Sequence, residues 1–252
     1  MTAAALLAAL DLPAAARVDK RVPKKLVLEN GAPTASDKRL INDGIEELFW
    51  LASLKPSNSG VPLYRDDTRE YLEVAVLRMA LRVSAKAQRL MELVHRAIPY
   101  PLLVIFEQGS LCGVSAGHKR WSQGEAGKTV MDGDVITSSF EIGHEADYWD
   151  LFCEALVLKR QPHGSMHSQY QGWIDTLLAV HAGRITGKFS VCANVGLADG
   201  RRGALRECAR LAAEMRGLRT AAENEKQVAR QVELNLELKR VAASYAEMAR
   251  QL

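Results

Sequence analysis

The sequence predicts an α/β (α+β) fold, a small mixed sheet flanked by helices, followed by one long C-terminal helix with a coiled-coil seam. Three observations carry this expectation. Short apolar runs of strand length alternate with amphipathic helical segments through residues 1–185. A glycine-bearing stretch, residues 186–203, reads as a linker. Beyond it, Ala204 to Leu252 carries one glycine (Gly217), no proline, and a preponderance of strong helix formers.

In chain order, Ala3–Leu10 predicts a short helix stopped by the Leu12-Pro13 step and packed on the domain. Its apolar opening lacks a basic residue ahead of it and is broken by Asp11 and Pro13, unlike a signal peptide. The basic segment Arg17–Lys25 predicts extended chain running into a strand at Leu26–Leu28, because Pro23 disfavours a helix through it. Ser36 is the expected N-cap of a helix from Asp37 to Leu54, with Leu40, Ile41, Ile45, Leu48, Phe49 and Ala52 at helical spacing. Tyr71–Val83 predicts a buried strand, Ala85–Ile98 a helix ended by Pro99, and Pro101–Phe106 with Leu111–Ser115 a hairpin turned at Gln108-Gly109-Ser110. Val135–Phe140 is a further expected strand; Ala146–Leu158 and Gln169–Ala182 are expected helices. In the last segment Leu238, Val241, Tyr245, Met248 and Leu252 alternate steps of three and four, a heptad seam with Leu211, Met215, Leu218 and Ala222 in similar phase. Such a stripe needs another helix to bury it, which predicts a hairpin or intermolecular coiled coil and makes those five residues the candidate partner or oligomer interface.

Composition narrows the function classes. Of 252 residues, 48% are hydrophobic and the formal net charge is +3, values of a chain that buries a core and carries no strong global charge signal. No run reaches the roughly 18 apolar residues of a membrane span, and the four cysteines are widely spaced without a CxxC pair. Both point to a cytoplasmic chain with neither a disulfide framework nor a cysteine-bound zinc.

Four motifs invite chemistry. Gly124-Glu-Ala-Gly127-Lys128-Thr129 resembles the end of a phosphate-binding loop, but Ser122 stands where the first glycine belongs and a strand follows, so a polar interstrand loop is expected. His163 and His167 have the spacing of two metal ligands on one helix face, but Pro162 and Gly164 break that helix and no metal is expected there. Asp66, Asp67 and Glu73 outline the acids of a restriction-type nuclease, which would hold magnesium; Ala75 stands where its lysine belongs. Arg17, Lys20, Arg21, Lys24 and Lys25, with Lys119 and Arg120, are candidate phosphate contacts.

Several segments together resemble one bacterial domain family of unknown function, encoded beside SNF2-type helicases and DNA methyltransferases in restriction-modification and phage-defence loci. They are Val18–Lys25 with Glu29-Asn30, the Leu40–Trp50 segment, Tyr71–Val76, Ala97-Ile-Pro-Tyr-Pro101, His118-Lys-Arg120 and Glu225–Asn235, in the expected order. The chain departs from the family pattern at Ala75, where relatives carry a polar residue, and at His118, where they carry an aromatic one. The resemblance implies a defence setting with a helicase or methyltransferase partner and DNA nearby; it implies no reaction. The combined expectation is a non-catalytic accessory or assembly subunit without a cofactor. It would dock a partner or a second copy through its C-terminal helix and touch nucleic acid through a basic face. A metal-dependent nuclease using Asp66, Asp67 and Glu73 is the alternative.

Overall fold

The computed structural model describes residues 2–125, 127–142 and 148–252, with backbone only at Val195. The chain divides into two compact units, Met1–Leu177 and Leu178–Leu252.

The first unit is built on a six-stranded mixed sheet of order β1-β2-β5-β6-β7-β10: β1 Arg17–Arg21, β2 Ile45–Leu54, β5 Val74–Leu81, β6 Leu102–Gln108, β7 Leu111–Gly117 and β10 Ile136–Glu141. Every neighbouring pair is antiparallel except β5 and β6, which are parallel and joined through helix α5 (Ala87–Ala97). Two small ribbons, β3 Tyr64–Arg65 with β4 Glu70–Tyr71 and β8 Lys119–Trp121 with β9 Thr129–Met131, complete the strands. Alternation along the strands separates two cores. Ala75, Leu77, Met79, Leu102, Val104 and Phe106 face a layer formed by α2 (Lys24–Gly31), α3 (Ala35–Gly44) and α5, packing on Val27, Ile41, Leu90, Met91 and Val94. The alternate residues Val74, Val76, Leu103 and Ile105 are also fully buried. On their side α1 (Ala3–Ala9) contacts β6, β7 and α6 (Trp149–Leu156), after the short helix α4 (Pro56–Ser59). The first turns of α7 (Met166–Thr186) are strapped to the sheet by Tyr170, whose hydroxyl donates to Leu102 O (2.6 Å) and accepts from Gly117 N (2.8 Å). Gly31 lets α2 lie against α5: a Cβ there would sit 2.4 Å from Leu93 O.

The hairpin at 106–111, the β10 strand, α1, α5 and the α7 helix stand where the sequence places them. The first two residues of the helix expected from Ala146 lie outside the described residues. Three expectations are corrected. Residues 24–31 form helix α2 rather than a strand, because Pro23 stands at its N-cap, where its missing N–H costs nothing. The expected helix 37–54 is α3, capped by Thr34 rather than Ser36 (Asp37 N to Thr34 Oγ1, 3.1 Å), followed without a loop by strand β2. Register shifts between Ile45 and Glu47 and between Trp50 and Ala52 break the two-residue period, so a bulged strand took on helix-like spacing.

The third correction concerns the second unit. Helix α8 (Val195–Asn224) begins inside the expected linker 186–203, and the single long helix expected after it is two, α8 and α9 (Val228–Ala249). Asn194 caps α8, its Oδ1 accepting from Leu197 N (3.0 Å), and the glycines at 196, 200 and 203 lie inside the helix. Glu225 Oε1 accepts from Lys226 N and Gln227 N, which ends one helix and starts the next. The two helices pair as an antiparallel hairpin, tied by Gln231 Nε2 to Ala222 O (3.1 Å) and Arg201 Nη2 to Leu252 O (3.3 Å).

Candidate functional site

The acidic trio does not form a metal centre. Asp66 closes the β3–β4 turn: Oδ1 accepts from Thr68 N (2.7 Å), Arg69 N (2.6 Å) and Thr68 Oγ1 (2.9 Å), and Oδ2 from Tyr64 OH (2.7 Å). The Tyr64 hydroxyl and the Thr68 amide hold its carboxyl well below the usual carboxylate range, with its lone pairs already committed. Asp67 points to solvent. Glu73 is taken by Ser53 Oγ (2.8 Å) and Lys55 Nζ (3.1 Å). Among the described residues, no group of three or more His, Cys, Asp or Glu side chains is placed to hold a metal ion. His163 lies in an exposed loop and His167 in the first turn of α7, so they share no helix face. The Gly124–Thr129 string connects β8 to β9, a strand–loop–strand setting without a helix N-terminus; its Ala126 lies outside the described residues.

The basic candidates fall into three groups. Arg17, Lys20 and Arg21 are exposed on β1, an open edge strand bulged at Asp19, whose φ is 47°. Bulge and charge also keep that edge from pairing with another chain. Lys24 begins α2 and donates to Asn42 O (3.2 Å); partial burial, then Arg82 and Arg21, lower its pKa. Lys25 pairs with Glu29 along the same helix (3.6 Å). Arg120 lines a cleft of about 470 Å³ with Arg96, Ser122 and Thr129. Lys119 is a correction. It is 2% exposed, and its ammonium donates to Ile98 O (2.6 Å) and to His95 O at the end of α5, so it cannot meet phosphate. Burial lowers its pKa to about 7.

A polar aromatic cluster escaped sequence reasoning. Gln171 Nε2 donates to Asp175 Oδ1 (2.8 Å), turning Gln171 Oε1 toward His118 Nε2 (2.7 Å). That makes Nε2 the protonated nitrogen of His118, so Nδ1 accepts from Tyr71 OH (2.5 Å). His167 stacks between His118 and Tyr64, at ring separations of 5.0 and 4.8 Å. Burial lowers the pKa of His118 to about 4 and lowers that of His167. Tyr71 is fully buried, its pKa raised by desolvation, so this chain of hydrogen bonds ties β4, the β7–β8 junction and α7 together rather than presenting a reactive group. Its members come from four separate stretches of sequence, and no local spacing marks them.

In the second unit the expected interface seam is turned inward. On α9 Val241 is buried and Leu238, Tyr245 and Met248 are half-buried, as is Leu252 just beyond its end; buried on α8 are Cys208, Leu211 and Ala222. Leu238 shares a small cavity with Arg219 and Ala222 of α8. The seam has a partner helix within the chain, the hairpin being one of the two arrangements expected. The outer side of α9 carries Val228, Val232 and Leu236 at i, i+4, i+8, exposed by 74%, 52% and 52%.

Among the described residues no helix is long and apolar enough to cross a membrane. Comparison with curated proteins and with solved structures gave no match. The family model of the domain of unknown function DUF4391 matches residues 10–244, most of both units. The chain belongs to the DUF4391 family.

Proposed function

We propose that the protein is a non-catalytic accessory or assembly subunit of a bacterial anti-phage defence system of the restriction-modification type. It docks a helicase or DNA methyltransferase of that system through the outer face of its C-terminal hairpin. The observation that carries this reading is the Val228, Val232, Leu236 stripe. A hairpin that has already buried its heptad seam still offers one helix a second apolar face, the form in which helices present anchors to a partner groove. The resemblance to a family encoded beside such enzymes supplies the partner class.

The test is co-expression of the full chain with the helicase and the methyltransferase encoded beside it, followed by size-exclusion chromatography with light scattering. A stable complex is expected with one of them, and Val228→Asp/Val232→Asp should weaken it at least tenfold without altering the hairpin's circular dichroism. An undiminished complex in that variant would place docking elsewhere. No complex with either enzyme would sink the reading.

A DNA interaction is the second element, supported by Arg17, Lys20 and Arg21 projecting from one edge strand. Removing each side chain that neutralises a phosphate should reduce the salt slope of duplex binding by about 0.9. Fluorescence anisotropy of the triple alanine variant across a salt series measures it, and an unchanged slope would assign these charges to protecting the sheet edge.

A further inference from the structure

A second cleft, of about 390 Å³, lies between the Asp11–Ala14 segment and the loop carrying His163, within the first unit. Its most buried lining residue is Gln169, on the first turn of α7 and 1% exposed. Neither the amide nitrogen nor the amide oxygen of Gln169 has a hydrogen-bond partner. The contrast with Gln161 nearby is direct: that buried amide donates to Ala155 O (2.7 Å) and Val157 O (3.0 Å). Each unpaired half of a buried amide carries the full penalty of its lost hydration, so a leucine at 169 would make the more stable fold. An amide kept in that condition is poised for a group that arrives from outside.

The chemistry of the lining narrows the group. A carboxylate or phosphate would satisfy only the N–H side and leave Oε1 unpaired. A ligand that satisfies both must offer an acceptor and a donor side by side on one planar edge, as every nucleobase does. Leu12, Pro13 and Leu158 give the cleft apolar walls for a flat ring, and the volume falls in the range of small-molecule sites. Lys159 pairs with Asp11 (2.9 Å), and His163 is exposed, so the rim is polar where a ribose would emerge. We propose that this cleft binds the base of a free nucleoside or nucleotide, with Gln169 reading the base edge. No hydrogen bond holds the amide in its present orientation, so its side chain turns into the cleft when the base enters.

The full chain is titrated with adenosine, guanosine, cytidine and uridine, read by thermal unfolding and by isothermal calorimetry. At least one should raise the melting temperature, by roughly 3–6 °C at a tenfold excess over Kd. Gln169→Leu, which keeps the volume and removes both polar atoms, should abolish that response while leaving the unliganded protein as stable as the parent or more so. Ala14→Trp, which fills the cleft while leaving Gln169 in place, should abolish it too and decides the matter if the leucine variant folds poorly. A response retained in both variants would overturn the proposal. So would no binding of any nucleoside at millimolar concentration, which would leave the amide to an internal water. The cleft shares no residue with the hairpin stripe or with β1, so the variants that test those surfaces should bind nucleoside normally.

Discussion

Lys119→Ala is expected to lower stability by about 3–5 kcal/mol, a drop in melting temperature of roughly 10 °C for a chain of this size. The side chain is buried and donates to the carbonyls of His95 and Ile98, where α5 ends and its last C=O groups have no partner within the helix. Truncation removes the aliphatic stem from the core and orphans both carbonyls. Lys119→Met refills the volume without capping, so it should cost less than alanine, and the difference between the two isolates the packing of the stem. Urea unfolding followed by circular dichroism measures both; an alanine variant within about 0.5 kcal/mol of the parent would show that the ammonium caps nothing. The pH dependence has a definite sign. A lysine with pKa about 7 in the fold and 10.5 when unfolded binds more protons in the unfolded chain between those values. Stability should therefore rise as pH goes from 7 toward 10, and Lys119→Met should remove that rise.

Acid should unfold the protein well above the pH at which its carboxylates titrate. Burial holds His118 at about 4 and His95 at about 3, against 6.5 when unfolded, so both are neutral in the fold. Protonation favours the unfolded chain. The stability these groups contribute is complete above pH 6.5, erodes below it, and is gone once pH has passed through 4 and 3. At about 1.36 kcal/mol per pH unit the contributions are of order 3 and 5 kcal/mol, comparable with the whole stability of a typical domain. The cause is local. His118 already uses both ring nitrogens, one of them accepting from Tyr71, and it stacks on a second imidazole, His167; His95 places Nε2 3.0 Å from Ser115 Oγ with Nδ1 buried and unpartnered. His118→Gln, which keeps a donor and an acceptor but cannot take a charge, should flatten the loss between pH 6.5 and 4. Parallel acid titrations of the two proteins, monitored by near-ultraviolet circular dichroism, make the comparison, and identical midpoints would remove His118 from the explanation.

The sequence by itself determined the elements whose neighbours in space are neighbours in the chain. The β6–β7 hairpin has its turn at Gln108-Gly109-Ser110, α5 its amphipathic face and its stop at Pro99, and α1 its stop before the Leu12-Pro13 step. The two-residue and 3.6-residue periods expose these to reading because one face of each is buried throughout. The heptad seam was legible as a seam for the same reason, and a hairpin was one of the two partners it implied. The position of the break, at Glu225–Gln227, was not legible, nor was the choice of α8 as the partner of α9.

Tertiary structure alone decided the rest. β2 carried helical spacing and became a strand because β1 and β5 offered its backbone partners on both edges and two bulges absorbed the mismatch. Lys119 was expected on the surface because charge usually lies there; the end of α5 meets its ammonium, and the side chain is buried. The Tyr71–His118–Gln171 chain depends on α7 lying against residues some fifty to a hundred positions earlier in sequence, and the cleft beside Gln169 on the return of the Asp11–Ala14 segment. Patterns repeat locally, and the sequence displays them. The partner of a buried polar group comes from wherever the chain happens to return, and only the folded chain shows where that is.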